Sequence, residues 1–153
     1  MMKLYLVQHG EAETKDVNPD RPLTQQGESD IRQVAATLSR AGIRVQRLVH
    51  SGKTRARQTA EILAGEIAPG IALETSDTID PIADPGGFVL PADGSDTLVA
   101  GHLPFMARLV ALLVSGDSEQ PLVAYRPGSV VCLERTEDQG WQINWMLRPE
   151  VAG

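Results

Sequence analysis

Apolar residues occur along the chain in short runs that alternate with segments of helical spacing. The first run, 4–7, reads Leu-Tyr-Leu-Val and stops before Gly10, which is typical of a buried central strand that leads into a loop. Between 31 and 38 the apolar positions recur at intervals of three and four, which predicts a helix. Thr24 is a suitable N-cap for that helix, and Gly42 a suitable stop.

Two further pairs of strand and helix follow. Residues 45–49 predict a second strand, and 54–66 a second helix with small and apolar residues along one side. Residues 97–100 predict a third strand. The third helix is predicted over 104–114, because it begins with a proline, which suits the first helical turn.

The remaining segments are a loop and a hairpin. Residues 76–95 are rich in proline and glycine and predict mostly loop. Segments 129–134 and 141–146 are separated by Asp-Gln-Gly, which predicts a terminal β-hairpin. Because side chains alternate along a strand, Trp141 and Trp145 are expected on one face, as packing residues.

These elements predict an α/β fold in a single domain over residues 1–153. Strands that alternate with helices indicate a central, mostly parallel sheet flanked by helices, here with a C-terminal β-hairpin. A chain of 153 residues is of a usual size for one domain.

Composition narrows the function classes. The net charge of -6 disfavours nucleic acid and anionic membranes as partners, since both attract clustered lysine and arginine. The chain contains one cysteine, Cys132, which cannot form an internal disulfide and is expected to be a buried thiol. The apolar start is too short for a signal segment, and no run has the length of a membrane span. A cytoplasmic protein is therefore expected.

Reactive side chains follow each of the first three predicted strands. They are Gln8-His9-Gly10, the segment 51–55 that begins with Ser51 and ends with Arg55, and Gly101-His102. The carboxyl ends of strands in an open α/β sheet form the edge where ligands bind. Two histidines and one arginine are thus expected to share one pocket.

Four ordered sequence pieces carry a resemblance to a known family. They are Val-Gln-His-Gly-Glu at 7–11, Arg-Pro-Leu-Thr at 21–24 with Gly27, Ser-Gly-Lys-Thr-Arg-Ala-Arg-Gln-Thr at 51–59, and Gly-His at 101–102. In order and approximate spacing they resemble the histidine phosphatase superfamily, which is phosphoglycerate mutase-like. The chain length and the Arg-Pro-Leu-Thr piece are most similar to its small SixA-type phosphohistidine phosphatases.

The resemblance implies a phosphatase that forms a phosphohistidine intermediate. It implies His9 as the nucleophile, His102 as a donor to the phosphoryl oxygens and Arg55 as a phosphate clamp. A neutral imidazole is a competent nucleophile, and planar guanidinium groups suit the charge that spreads over the phosphoryl oxygens. Gln8, Arg21 and Ser51 complete the expected phosphate-binding set, and neither a cofactor nor a metal is predicted.

The chain departs from the family pattern at two places. The family has an arginine where this chain has Gln8, which can donate a hydrogen bond but brings no charge. Arg21 and Lys53 are candidates to replace that charge. The loop that supplies a general acid in larger relatives is short here, so we expect an open pocket, with Glu11 and Asp80 as candidate acids.

Several alternatives remain open at this level. The partner is expected to be a protein that carries phosphohistidine or a small phosphorylated molecule. A small-molecule phosphatase or mutase of the same family, or a phosphate- or phosphoprotein-binding module that has lost catalysis with Gln8, would fit the same residues. His50 is expected to pack or to lie at the rim, and Arg57 to face away from Arg55. Arg21 could instead fix its loop through a carboxylate of Asp20 or Glu11. Residues 51–54, Ser-Gly-Lys-Thr, resemble the end of a nucleotide-binding Walker loop, but the glycine that this motif requires upstream is absent.

Overall fold

A six-stranded mixed sheet forms the centre of the computed structural model, which describes residues 2–153. The strands are β1 (Lys3–Gln8), β2 (Arg47–His50), β3 (Leu73–Thr75), β4 (Thr97–Gly101), β5 (Val130–Arg135) and β6 (Trp141–Leu147). Their order is β3-β2-β4-β1-β5-β6. The first four in that order are parallel, and β5 and β6 continue the sheet antiparallel.

Three helices cover the two faces of the sheet. They are α1 (Gln25–Arg40), α2 (Thr54–Ile67) and α3 (Phe105–Ser115). One face packs its apolar side chains against α1 and α2, and the other against α3. Both cores exclude water almost completely, and this burial is the main stabilising contribution to such a fold.

Helix α1 begins directly after Thr24, the residue that the sequence predicts as its N-cap. The Thr24 hydroxyl accepts a hydrogen bond from the Gly27 N–H at 2.9 Å and so caps α1. Glycine is required at position 27, because a Cβ there would lie 2.1 Å from the Glu11 carbonyl oxygen. The predicted N-cap is confirmed, and the close approach explains the glycine that follows the Arg-Pro-Leu-Thr piece.

The structure confirms the predicted fold class and corrects it at two places. Strand β3 was not predicted; it has only three residues and pairs with β2 at one edge of the sheet. The expectation that Trp141 and Trp145 share a face is wrong. A β-bulge shifts the register of β5 and β6, so Cys132 pairs with Trp145 and Leu133 with Ile143. Trp141 packs on the α3 side and Trp145 on the opposite side.

The sheet brings three strand ends to one level. In β4, Gly101 lies beside Gln8 of β1, and Ala100 lies beside His50 of β2. The residues that follow these strands therefore emerge side by side at the carboxyl edge. None of the helices described is long and apolar enough to cross a membrane.

Candidate active site

The two histidines that follow β1 and β4 lie next to each other at this edge, with their rings tilted. The ring centroids of His9 and His102 are 5.1 Å apart, with 55° between the ring planes. The His9 N–H donates to the Gly101 carbonyl oxygen at 3.0 Å, which ties the two loops together. The predicted pair of histidines is thus brought together by the topology.

Hydrogen bonding fixes the orientation of the His9 ring. Its Nδ1 lies 2.7 Å from the Gly10 carbonyl oxygen, and only a protonated Nδ1 can donate to a carbonyl. Nε2 therefore carries the lone pair that a nucleophile needs. Burial lowers the pKa of His9 to about 4; the Gly10 carbonyl opposes this shift, and the charges of Arg55 and Arg21 reinforce it.

Arg55 extends from the first turn of α2 toward His9. Its Nε donates to His9 Nε2 at 3.3 Å, so the guanidinium group lies where a group attacked by His9 would arrive. Burial, followed by the charge of Arg21, lowers the pKa of Arg55. The helix is held against the loops by Thr59, which accepts from the Gly10 N–H at 3.0 Å and donates to the Arg55 carbonyl at 2.8 Å.

His102 is buried, with 1% of its surface exposed, and has one side-chain partner. Its Nε2 lies 2.6 Å from the Ser51 hydroxyl, which also accepts from the Lys53 N–H at 3.3 Å. Nδ1 of His102 has no partner among the described residues. Burial lowers the pKa of His102 to about 3, with further lowering by His9 and then Arg55. The ring is therefore neutral at physiological pH.

Gln8 is the last residue of β1. Its backbone N–H and carbonyl form hydrogen bonds, whereas its side-chain oxygen forms none with the residues described. Its N–H donates to the Ser129 carbonyl at 3.1 Å, and its own carbonyl accepts from the Gly128 N–H at 3.0 Å. The side chain is 8% exposed, and Oε1 is buried without a partner. An unpaired buried amide oxygen costs about 1–3 kcal/mol, so a ligand that paired or reoriented this amide would recover free energy.

A cationic pocket of about 670 Å³ opens beside Arg55, the residue that contacts His9, and neither histidine lines it. The charged residues that line it are Lys15, Asp20, Arg21, Lys53, Arg55 and Asp80. Of these, Lys15 was not expected from the sequence, because only the folded 13–21 loop brings it near. The four cations exceed the two carboxylates, so the pocket suits an anion although the chain as a whole is acidic.

Arg21 lines this pocket, and the alternative that it fixes its loop through a carboxylate is not what the structure has. Its Nε donates to the Glu13 carbonyl at 3.0 Å. Neither Asp20 nor Glu11 forms an ion pair with it among the residues described. Its backbone adopts a positive φ of 48°.

The two candidate acids have different surroundings. Asp80 lines the pocket. Glu11 does not; its Oε1 accepts from the Thr24 hydroxyl at 2.9 Å, which supports the cap of α1. A role as the acid is therefore not supported for Glu11, because its carboxylate is committed to that hydrogen bond.

Two other predicted residues also have defined places. His50 is buried, and its Nδ1 accepts from the Gly52 N–H at 3.0 Å. Burial lowers the pKa of His50. Arg57 faces away from Arg55 and pairs with Glu61 at 2.9 Å. Within residues 2–153 no group of three or more histidine, cysteine, aspartate or glutamate side chains is arranged to hold a metal ion.

Comparisons with known proteins agree with this geometry. The chain is 27% identical over 159 residues to the phosphohistidine phosphatase SixA of Escherichia coli strain K12, covering 97% of this chain and 94% of that protein. It is 30% identical over 139 residues to an uncharacterised protein of Picosynechococcus, covering 84% and 83% of the two chains. The structure of the protein histidine phosphatase SixA complexed with tungstate superposes with a TM-score of 0.86 at 26% identity, covering 97% of each chain. A profile of the histidine phosphatase superfamily (branch 1) matches residues 4–81, and the chain belongs to that superfamily.

Proposed function

We propose that this protein is a phosphatase that removes the phosphoryl group from phosphohistidine on a protein substrate, with His9 as the transiently phosphorylated nucleophile. The observation that carries the proposal is the fixed His9 ring, with Nδ1 bonded to Gly10 and Nε2 facing the Arg55 guanidinium. Similarity over nearly the whole chain to SixA, a phosphohistidine phosphatase, supports the substrate class.

The reaction proceeds in two displacements. In the first, the Nε2 lone pair of His9 attacks phosphorus, a new P–N bond forms, and the P–N bond of the substrate breaks. The substrate imidazole leaves with the bonding pair and is protonated from solvent. In the second, water attacks phosphorus, the P–N bond to His9 breaks, and inorganic phosphate and a neutral His9 result.

The surrounding residues stabilise charge on the transferred group. The Arg55 guanidinium moves from Nε2 to the phosphoryl oxygens, where charge-assisted hydrogen bonds contribute about 1.5–3 kcal/mol each. His102 donates from Nδ1 when Ser51 donates its hydroxyl proton to Nε2, a tautomer for which the unpartnered Nδ1 is available. The N-terminal end of α2 adds a favourable dipole for an anion.

The low pKa values of both histidines fit these roles. A nucleophile must be unprotonated, and a pKa of about 4 keeps His9 neutral at physiological pH. The low basicity of His9 also makes its imidazole a good leaving group from the phosphorylated enzyme in the second displacement. With no strong acid beside Nε2, the site suits a substrate whose leaving group is an imidazole, which needs little protonation.

An open pocket supports a protein as the substrate carrier. The cavity lined by Arg55 is wide relative to a phosphate ion, and its lining includes Ile82, of which 88% is exposed. A phosphorylated side chain projecting from another protein can reach such a site. Asp80, in the same lining, is the one carboxylate of the candidate pair that can serve as an acid for less reactive leaving groups.

A second candidate function is a phosphoprotein-binding module with little catalysis. The observation that favours it is Gln8, a neutral and partly unsatisfied residue where the family pattern has a cation. Loss of one charge-assisted contact lowers phosphate affinity by about one to two decades and lowers turnover in proportion to its contribution in the transition state.

One set of assays separates these candidates. Phosphate release is measured from a phosphohistidine peptide, a phosphoserine peptide and p-nitrophenyl phosphate, with wild type, His9→Ala and His50→Asn. We expect release from phosphohistidine alone by wild type and by His50→Asn, whose side-chain oxygen keeps the acceptor for Gly52, and none by His9→Ala. Acid-labile phosphate should be trapped on wild type and His50→Asn, and not on His9→Ala. General release would indicate a small-molecule phosphatase, and binding without release would indicate the module.

A further inference from the structure

We infer that Arg21 supplies the second cation of the phosphate site, in place of the charge that Gln8 lacks. The inference rests on the proposed phosphate chemistry of the pocket, but it concerns binding and can be tested without turnover. It assigns to the 13–21 loop a direct contact with the phosphoryl group, opposite the contact made by Arg55.

The Arg21 guanidinium is anchored at one nitrogen and free at the others. Nε donates to the Glu13 carbonyl at 3.0 Å, a backbone acceptor that carries no full charge. In the part of the chain described, its terminal nitrogens have no hydrogen-bond or ion-pair partner. A guanidinium group anchored at Nε keeps its two terminal NH2 groups free, and the edge that they form is suited to bidentate contact with phosphate.

Its location relative to the nucleophile is also suitable. Arg21 and Arg55 line the same pocket, and Arg55 contacts His9 Nε2 directly. The charge of Arg21 acts on both residues, since it contributes to the lowered pKa of His9 and of Arg55. A phosphoryl group bound at this edge would relieve the repulsion between the two guanidinium groups.

The backbone at Arg21 argues against a purely structural role. A φ of 48° is a left-handed conformation that glycine or asparagine adopts more easily than arginine. The turn is closed by backbone contacts, including the Arg21 N–H to the Asn18 carbonyl at 2.9 Å. Backbone hydrogen bonds close the turn at 18–21, while the guanidinium group uses only Nε for its contact with the loop. Residues held in such conformations concentrate at functional sites.

The lysines of the pocket are weaker substitutes. Lys53 is exposed at the N-terminal end of α2, and Lys15 is exposed on the loop. Neither ammonium group is fixed by a hydrogen bond among the described residues. A mobile point charge stabilises an anion but cannot form the paired contact of a planar guanidinium group.

The test is a mutant cycle read out by tungstate binding in calorimetry near pH 7. The proteins are wild type, Arg21→Ala, Gln8→Arg and the double variant, with Arg44→Ala as a control for loss of an exposed arginine outside the pocket. We expect Arg21→Ala to weaken tungstate binding about tenfold or more in wild type, and less than about threefold in the Gln8→Arg background. Arg44→Ala should leave affinity unchanged.

Equal affinity of wild type and Arg21→Ala, or equal losses in the two backgrounds, would overturn the assignment. Arg21→Asn serves as a second variant, because asparagine tolerates a positive φ and removes the charge without strain. If Gln8→Arg does not fold, the loss caused by Arg21→Asn in wild type decides the question. Absence of turnover in wild type, with tungstate binding that depends on Arg21, would instead refute the proposed hydrolysis and retain this inference.

Discussion

Acidification provides a direct test of the electrostatics around His9, the proposed nucleophile. The structure gives His9 a pKa of about 4, principally because the ring is removed from water. An exposed imidazole has a pKa of about 6.5. At pH of about 5, His9 should therefore be about 90% neutral, whereas an exposed histidine would be about 3% neutral.

The difference between the pKa of His9 in the folded and unfolded states also determines how the free energy of unfolding changes with pH. Between pH of about 4 and about 6.5 the unfolded state binds a proton at His9 that the folded state does not. The free energy of unfolding consequently rises with pH through this window and falls on acidification. At pH of about 5 the contribution of His9 amounts to a loss of about 2 kcal/mol relative to neutral pH.

Two measurements check this reasoning. In a nitrogen-15 NMR titration, with the signal assigned by its absence in His9→Gln, we expect a neutral ring with the proton on Nδ1 down to pH of about 5. In urea unfolding near pH 7 and near pH 5, wild type should lose about 2 kcal/mol more than His9→Gln. His102 is present in both proteins, and because burial is the main cause of its lowered pKa, most of its own contribution cancels in the comparison.

Either of two outcomes would refute the argument. One is a His9 signal that titrates near its ordinary value of about 6.5, which would mean that the ring is hydrated. The other is an equal loss of stability in wild type and His9→Gln on acidification. A neutral ring with its proton on Nε2 would also contradict the assigned nucleophile, because the Nε2 lone pair would then be absent.

The remaining predictions concern the groups around His9. Arg55→Ala should lose tungstate binding by about tenfold or more in calorimetry, and Arg55→Lys should regain only part of it, because the planar fork is absent; an unchanged affinity would contradict the shared pocket. Ser51→Ala removes the partner of buried His102 and should lower the free energy of unfolding by about 1–3 kcal/mol, with Ser51→Thr as the conservative control. Gly27→Ala places a Cβ against the Glu11 carbonyl and should destabilise the protein by about 1–3 kcal/mol or more in urea unfolding, so a neutral result would show that the loop can move aside.

Elements with strong local signals could be predicted from the sequence. The first helix has a capping hydroxyl at Thr24 and apolar positions at helical spacing, and both signals depend only on nearby residues. The convergence of His9 and His102 was predictable as well, because parallel strands present their carboxyl ends at one edge of a sheet.

Features that depend on pairing between distant segments could not be predicted. Strand β3 has too few residues to show alternation, and it exists because β2 offers an open edge. The bulge that separates the faces of Trp141 and Trp145 is set by the register between β5 and β6, which no pattern within either strand records.

Within the site, the sequence identified the groups but not their contacts. The bond from the Gly10 N–H to Thr59 and the commitment of Glu11 to Thr24 both join segments that are distant along the chain. In the sequence, Thr59 was only one residue of the 51–59 motif. Its spacing of four from Arg55 could have placed it on the same helix face as Arg55.

The distribution of charge connects these observations to the substrate. The ion pairs in the part of the chain described involve arginines outside the pocket: Arg47, Arg57, Arg108, Arg126 and Arg148. Arg21 and Arg55, which line the pocket, have no carboxylate partner there, although acidic residues outnumber basic ones in the chain. Two guanidinium groups that repel each other beside a neutral nucleophile lack a counter-charge, and a bound phosphoryl group would supply it. The uncompensated positive charge of the pocket would therefore select the phosphorylated substrate. Because Gln8 is neutral, the centre of that positive charge would lie nearer to Arg21 than to the end of β1.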